Sequence, residues 1–221
     1  MNPKPLFAFP KWSNKVAAGI LTVLVVLPMY VGALLAYGAN PTTLNVGYQP
    51  VQPVPYSHKL HVGELGIDCR YCHNTVEKAG MAAIPPTETC MNCHRGIFDK
   101  SEKLAPVFAS FADGMPVPWV KVHDLPDYVY FNHAAHVNVG VGCVECHGRV
   151  DQMDEKGVYQ VAGLNMAWCV ECHRDPATRL RPKDQETNMA WAPNKDRRVL
   201  GQELMAKYHV NPSVDCVTCH R

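Results

Sequence analysis

One five-residue pattern dominates what this chain can fold into. Cys-x-x-Cys-His occurs five times, at Cys69–His73, Cys90–His94, Cys143–His147, Cys169–His173 and Cys216–His220, and it uses all ten cysteines and five of the eleven histidines. Two thiols three residues apart can reach the two vinyl groups of one porphyrin, and the imidazole that follows can bind its iron. A zinc ribbon does not require His after every second Cys. Disulfide-exchange motifs would sit in βαβ units, and no such pattern surrounds these. The expectation is five covalently attached haem c groups. Cys69, Cys72, Cys90, Cys93, Cys143, Cys146, Cys169, Cys172, Cys216 and Cys219 would hold them, and His73, His94, His147, His173 and His220 would be the proximal ligands. Covalent haem is attached outside the cytoplasmic membrane, so the motifs are expected in the periplasm.

The chain therefore needs an export signal, and residues 16–37 are a 22-residue run without a charge. As a helix the run rises roughly 33 Å, enough for a hydrocarbon core of about 30 Å. Pro28 is tolerable in a membrane helix. Lys4, Lys11 and Lys15 precede the run and no charge follows until Lys59. The positive-inside rule then gives a basic cytoplasmic tail (1–15), a single-pass anchor (16–38) in a bacterial inner membrane, and a periplasmic remainder. A cleaved signal peptide has an apolar core of only about 7–15 residues. The run is read as an uncleaved anchor, although Ala36, Gly38 and Ala39 also fit a cleavage pattern. Residues 39–57 are uncharged and hold Pro41, Pro50, Pro53 and Pro55. They read as an extended linker, either a plain spacer or a strip lying along partner subunits.

Six histidines remain for up to five distal positions: His58, His61, His123, His133, His136 and His209. Tyr56-Ser-His58-Lys-Leu-His61 precedes Cys69, and Phe131-Asn-His133-Ala-Ala-His136 precedes Cys143. His209 precedes Cys216 with the spacing of His136 to Cys143, and Ala206 stands in the place of the first histidine. The cysteine intervals of 21, 53, 26 and 47 repeat this short–long order. Two pair units (about 58–115 and 116–185) and a terminal single unit (186–221) follow. The i, i+3 spacing puts both histidines of a pair on one helix face, where they can serve two neighbouring irons. The expected distal ligands are His58, His61, His133, His136 and His209. His123 lies outside the repeat and reads as structural, with a distal-ligand role as its alternative. Met166, three residues before Cys169, is the alternative ligand to His209, although packing is the preferred reading for it and for Met91.

Residues 58–221 supply only about 33 residues per haem, too few for five separate protein cores. The expected fold is mostly helical and irregular: one N-terminal transmembrane helix, then a loop-rich multihaem cytochrome c domain with little sheet. Eighteen prolines favour loops. Val129–Phe131 is a candidate short strand. Arg198–Tyr208 is a candidate amphipathic helix, with Leu200, Leu204 and Tyr208 on one stripe and Asp196 at its start. Between Arg174 and Arg198 lie seven basic and four acidic residues. They read as a solvated loop or as partners for haem propionates or a docking surface. The formal charge of +1 argues against nucleic acid as a partner. Five haems with ionised propionates would carry it to about −4 oxidised and about −9 reduced.

Several stretches between the motifs are more specific. They include Phe9-Pro-Lys-Trp12-Ser-Asn, His58-x-x-His61, Thr89-Cys-Met-Asn-Cys-His94 and Pro118-Trp-x-x-Val-His123-Asp-Leu-Pro-Asp127-Tyr-Val-Tyr-Phe131. Trp168-Cys-Val-Glu-Cys-His173-Arg-Asp-Pro176 and Leu180-Arg-Pro-Lys-Asp184 extend the set. With them the chain resembles the pentahaem, membrane-anchored cytochrome c component of bacterial alternative complex III. That resemblance implies a quinol-oxidising complex with an iron–sulfur protein related to molybdopterin oxidoreductases. It also implies polytopic quinol-binding membrane subunits, a monohaem cytochrome c, and a terminal oxidase as a further acceptor. In that setting this chain carries electrons and has no catalytic residue of its own. The residues agree, because an iron with two protein ligands has no open site for substrate. The alternatives are a membrane-anchored multihaem reductase, which needs an open iron, and a quinol dehydrogenase acting directly on substrate.

Overall fold

The computed structural model describes residues 9–40, 43 and 45–221. Lys4 of the expected basic tail and Pro41 of the expected linker fall outside these. The chain divides into two compact units, Met1–Leu44 and Asn45–Arg221.

The first unit is built on α1, Lys11–Gly38, a single 28-residue helix with Pro28 inside it. It begins five residues before the uncharged run, because Lys11 to Lys15 extend the helical backbone. Its length comes to about 42 Å. None of its residues is buried, so Leu21, Leu24, Met29 and Leu35 all present apolar surface. A helix apolar all round belongs in a core or a membrane. This one is long and apolar enough to cross a bilayer.

The second unit is loop-rich, with short helices where the motifs lie. They are α2 (Cys69–Cys72), α3 (Thr87–His94), α4 (Ala105–Asp113), α5 (His133–Val137), α6 (Val144–His147), α7 (Met166–Arg174), α8 (Arg197–Tyr208) and α9 (Cys216–Cys219). A π-helical turn spans Lys59–Glu64. Side-chain caps start several of them. Asp68 accepts from the Arg70 N–H, Asn132 from Ala135, and Asn165 from Trp168. Asp196 accepts from Arg198 and Val199. Each cap satisfies donors that a four- to twelve-residue helix could not satisfy internally.

Sheet is nearly absent, as expected: among the described residues one isolated antiparallel bridge joins Val141 to Leu180. The expected strand at Val129–Phe131 does not form. The Val129 N–H closes a turn onto the Pro126 carbonyl, and that of Tyr130 reaches the Cys219 carbonyl. No edge is left for pairing. The Pro-rich stretch is also more than a spacer from residue 45 onward. Gly47 and Tyr48 exchange backbone bonds with Gln160, and Val54 is 4% exposed in a cluster with Met91 and Val107.

Ten hydrophobic side chains are buried among the described residues, a thin core for 177 positions. One tight point is α8 against the 3₁₀ turn Pro176–Arg179. Leu204 is buried there, and a Cβ on Gly201 would stand 1.7 Å from the Ala177 carbonyl oxygen. A backbone atom cannot rotate away. Gly201→Ala is therefore expected to destabilise the second unit by about 2–3 kcal/mol, read as a lower thermal midpoint with unchanged haem content.

Candidate functional site

Each motif helix turns its Cys pair to one side and places the histidine in the next turn. His73, His147 and His220 each donate their backbone N–H to the carbonyl of the first cysteine, at 2.9, 3.0 and 2.8 Å. The side chains are oriented by the other ring nitrogen. Nδ1 of His73 lies 2.8 Å from the Ala83 carbonyl, His94 3.0 Å from Ile97, His173 2.6 Å from Ser213, and His220 3.2 Å from Tyr128. Three of the expected distal histidines do the same: His61 to Ser57 (2.9 Å), His133 to Gly80 (2.9 Å) and His136 to Asn132 (2.7 Å). A carbonyl only accepts, so each Nδ1 carries the proton and each Nε2 is free as a metal ligand.

The rings also stand at the right separation. Centroids of His61 and His94 are 6.3 Å apart, those of His133 and His147 6.4 Å, and those of His136 and His173 6.0 Å. Two metal–nitrogen bonds of about 2 Å, plus about 1.1 Å from each nitrogen to its ring centre, give roughly 6.2 Å. Each pair is therefore spaced as two imidazoles that would hold one haem iron between them. His58 lies beside His73, and its Nδ1 is buried without a partner among the described residues. Burial, then the neighbouring His73 and His61, push His58 down to about 4. Burial chiefly, with His123 and His133 adding, holds His147 at about 3. Neutral imidazole is the form that binds metal.

One bracket escaped the sequence reading. Tyr56 stacks on His61 (4.5 Å, 25°) and meets His58 edge-on (4.7 Å, 86°). Phe131 repeats this on His136 (4.6 Å, 29°) and His133 (4.7 Å, 86°). An aromatic two residues before His-x-x-His is the signal that could have revealed it. His123 packs edge-on against His147 at 4.4 Å, and burial lowers its basicity. Met91 is buried in the Val54 cluster, while Met166 is 70% exposed at the start of α7. His209 caps α8 in the left-handed region at φ 55.

The cysteine pairs adjoin one another. Cys72 lies within electrostatic reach of Cys90 and Cys93. The Cys69 and Cys143 side chains are close neighbours. Cys146 neighbours Cys172 and Cys169, and Cys169 neighbours Cys219. Beside the Cys69–Cys143 junction sits Glu186, 5% exposed, with Oε1 unpartnered among the described residues. Burial raises its carboxyl from 4.5 to about 7, and Glu77 adds to this while Arg70, Lys183 and Arg181 oppose it. The folded value exceeds the unfolded one, so the native state binds more protons between them. The associated stability is present below 4.5 and is lost as pH rises through 7. Glu186→Gln should flatten that decline, read as denaturation midpoints from about pH 5 to pH 8.

Among the described residues no three His, Cys, Asp or Glu side chains converge to hold a bare metal ion. The ten cysteines are not paired as disulfides. The set fits porphyrin attachment instead, and comparison with known proteins agrees. The family model described as cytochrome c7 and related cytochrome c matches residues 54–106 and 129–221, a span that includes all five motifs. The multihaem cytochrome c subunit of a menaquinone reductase from Nitratidesulfovibrio vulgaris is 28% identical over 199 residues, covering 88% of this chain and 89% of that protein. This chain is a multihaem c-type cytochrome of the cytochrome c7 and related cytochrome c family.

Proposed function

We propose that this chain holds five haem c groups in single file and serves as the electron-carrying component of a quinone-linked membrane complex. Contiguity of the attachment sites carries the reading. In order they are Cys90/Cys93, Cys69/Cys72, Cys143/Cys146, Cys169/Cys172 and Cys216/Cys219. Bound haem supplies one-electron exchange. The chain's own part is to fix the spacing: the turn Lys59–Glu64 with its N-cap His58 would carry ligands for the first two sites and α5 for the next two. Paired imidazoles keep substrate off those irons and favour low potentials relative to His/Met ligation.

In this reading α1 anchors the chain in a bacterial inner membrane. Lys11 and Lys15 stay on the cytoplasmic side and the haem domain lies in the periplasm. The resemblance to alternative complex III supplies the expected partners. An iron–sulfur protein donates electrons, polytopic membrane subunits bind quinol, and a monohaem cytochrome c or a terminal oxidase accepts. The name of the N. vulgaris relative favours a second reading, in which electrons run the other way, into menaquinone.

Rapid mixing tests both. Quinol added to the purified membrane complex should reduce the haems, whereas quinol added to the isolated full-length cytochrome should not. Reduction of the isolated chain would instead make it a quinol dehydrogenase. Haems that are oxidised by a menaquinone analogue but stay oxidised with quinol would establish the reverse direction.

A further inference from the structure

The histidine pairs follow a rule. The second histidine serves the farther motif: His61 faces His94 and His136 faces His173. The first serves the nearer one: His133 faces His147, and His58 lies beside His73. His133 stands ten residues before its cysteine Cys143, and His58 eleven before Cys69. Ten residues before Cys216 the chain has Ala206. His209 occupies the second place, which elsewhere reaches past the nearer motif.

Local structure sets His209 apart as well. His61 and His136 lie in helical turns and bond Nδ1 to the carbonyl four residues back. The His209 ring makes no such bond among the described residues, and the residue is an exposed left-handed cap. Leu204, buried, replaces the aromatic bracket of Tyr56 and Phe131. His220 itself is oriented like the other proximal histidines, through Tyr128.

We propose that this chain completes the His220 site on one side only, leaving a coordination position open to a small exogenous ligand such as carbon monoxide. His209 is then not the fifth distal ligand. This inference rests on the five-haem reading, and the test separates the two. Full-length haem-loaded protein is reduced and titrated with carbon monoxide, and haem attachment is counted by intact and peptide mass.

About one fifth of the haem should form an adduct, the share of one site in five, and ferric protein should show a high-spin EPR signal of matching size. His209→Ala should leave both unchanged. Ala206→His should abolish both by supplying the missing imidazole, with haem content retained. Five attached haems with no adduct would overturn the inference alone, as would an adduct that appears only in His209→Ala. Mass spectra without haem on Cys216 and Cys219 would overturn the five-haem reading and this inference together.

Discussion

His133→Met should raise the potential of the site held by His147 by on the order of 0.1 V, because a methionine axial ligand favours the ferrous state relative to a second imidazole. For one electron that is about a fifty-fold change in equilibrium. In the proposed file that site lies in the middle, so every electron crossing the chain would meet it. Transit from the Cys90/Cys93 end to the Cys216/Cys219 end should slow about fifty-fold, while the outer four potentials stay close to wild type. Spectroelectrochemical titration reads the first effect and rapid-mixing reduction the second. His123→Gln is the informative control. His123 touches the edge of the His147 ring at 4.4 Å, whereas His133 faces it in parallel at 6.4 Å. A potential shift of the same size from His123→Gln, with none from His133→Met, would reverse the ligand assignment.

Glu145→Gln should be the most destabilising charge substitution in the second unit. Glu145 lies inside the third motif, and its side chain is 8% exposed. One oxygen accepts from Arg181 at 2.8 Å and from Arg197, and the other from Arg179 at 3.3 Å. Arg181 decides the magnitude. Its side chain is 2% exposed, and its guanidinium lies 5.1 Å from the Trp191 ring centre. It also fills the space beside Gly142, where a Cβ would meet it at 2.1 Å. Neutralising Glu145 leaves a buried guanidinium without a counter-charge, a change that costs about 3–5 kcal/mol. The Asn188 carbonyl at 3.0 Å still receives one N–H, which places the expectation at the low end, about 3 kcal/mol. For a unit of this size that is a fall of about 6–12 °C in the thermal midpoint. Arg179→Ala should cost no more than about 1 kcal/mol, because its guanidinium is partly exposed and Glu145 keeps Arg181 and Arg197.

Much of the site was legible beforehand because attachment chemistry is local. Two thiols and an imidazole must fall within five residues, so all five motifs could be read from Cys69 to His220. The helix Arg197–Tyr208 was legible from the Leu200–Leu204–Tyr208 stripe and from Asp196. Which histidine serves which motif was not, because it depends on where α5 points relative to α6 and α7. Spacing placed His209 among the distal ligands without naming its iron, and His136, which lies opposite His173 and not the nearer His147, shows that proximity in sequence does not name it. Val129–Phe131 has strand-forming residues, but Pro126 and Cys219 take up its backbone bonds. The charged loop, read as solvated or as a partner for propionates or a docking surface, is partly core, since Arg181 and Glu186 are buried within it. Charge counts do not reveal that a guanidinium has an aromatic ring and a carboxylate waiting for it.

The pairing rule also changes the balance between carrier and reductase. On the proposed ligation, four sites with two imidazoles would only exchange electrons, while an open His220 site at one end of the file would bind a small molecule. A high-spin ferric signal is therefore expected from one site without abandoning electron carriage by the other four.

The order of the sites can be read from a high-resolution electron cryo-microscopy map of the haem-loaded membrane complex. Ranked by nearest irons, the expected single file is His94, His73, His147, His173, His220, with the His73 and His147 irons as the bridge between the two pair units. A map in which those two irons are not neighbours, or in which the His94 and His220 irons adjoin, would contradict it.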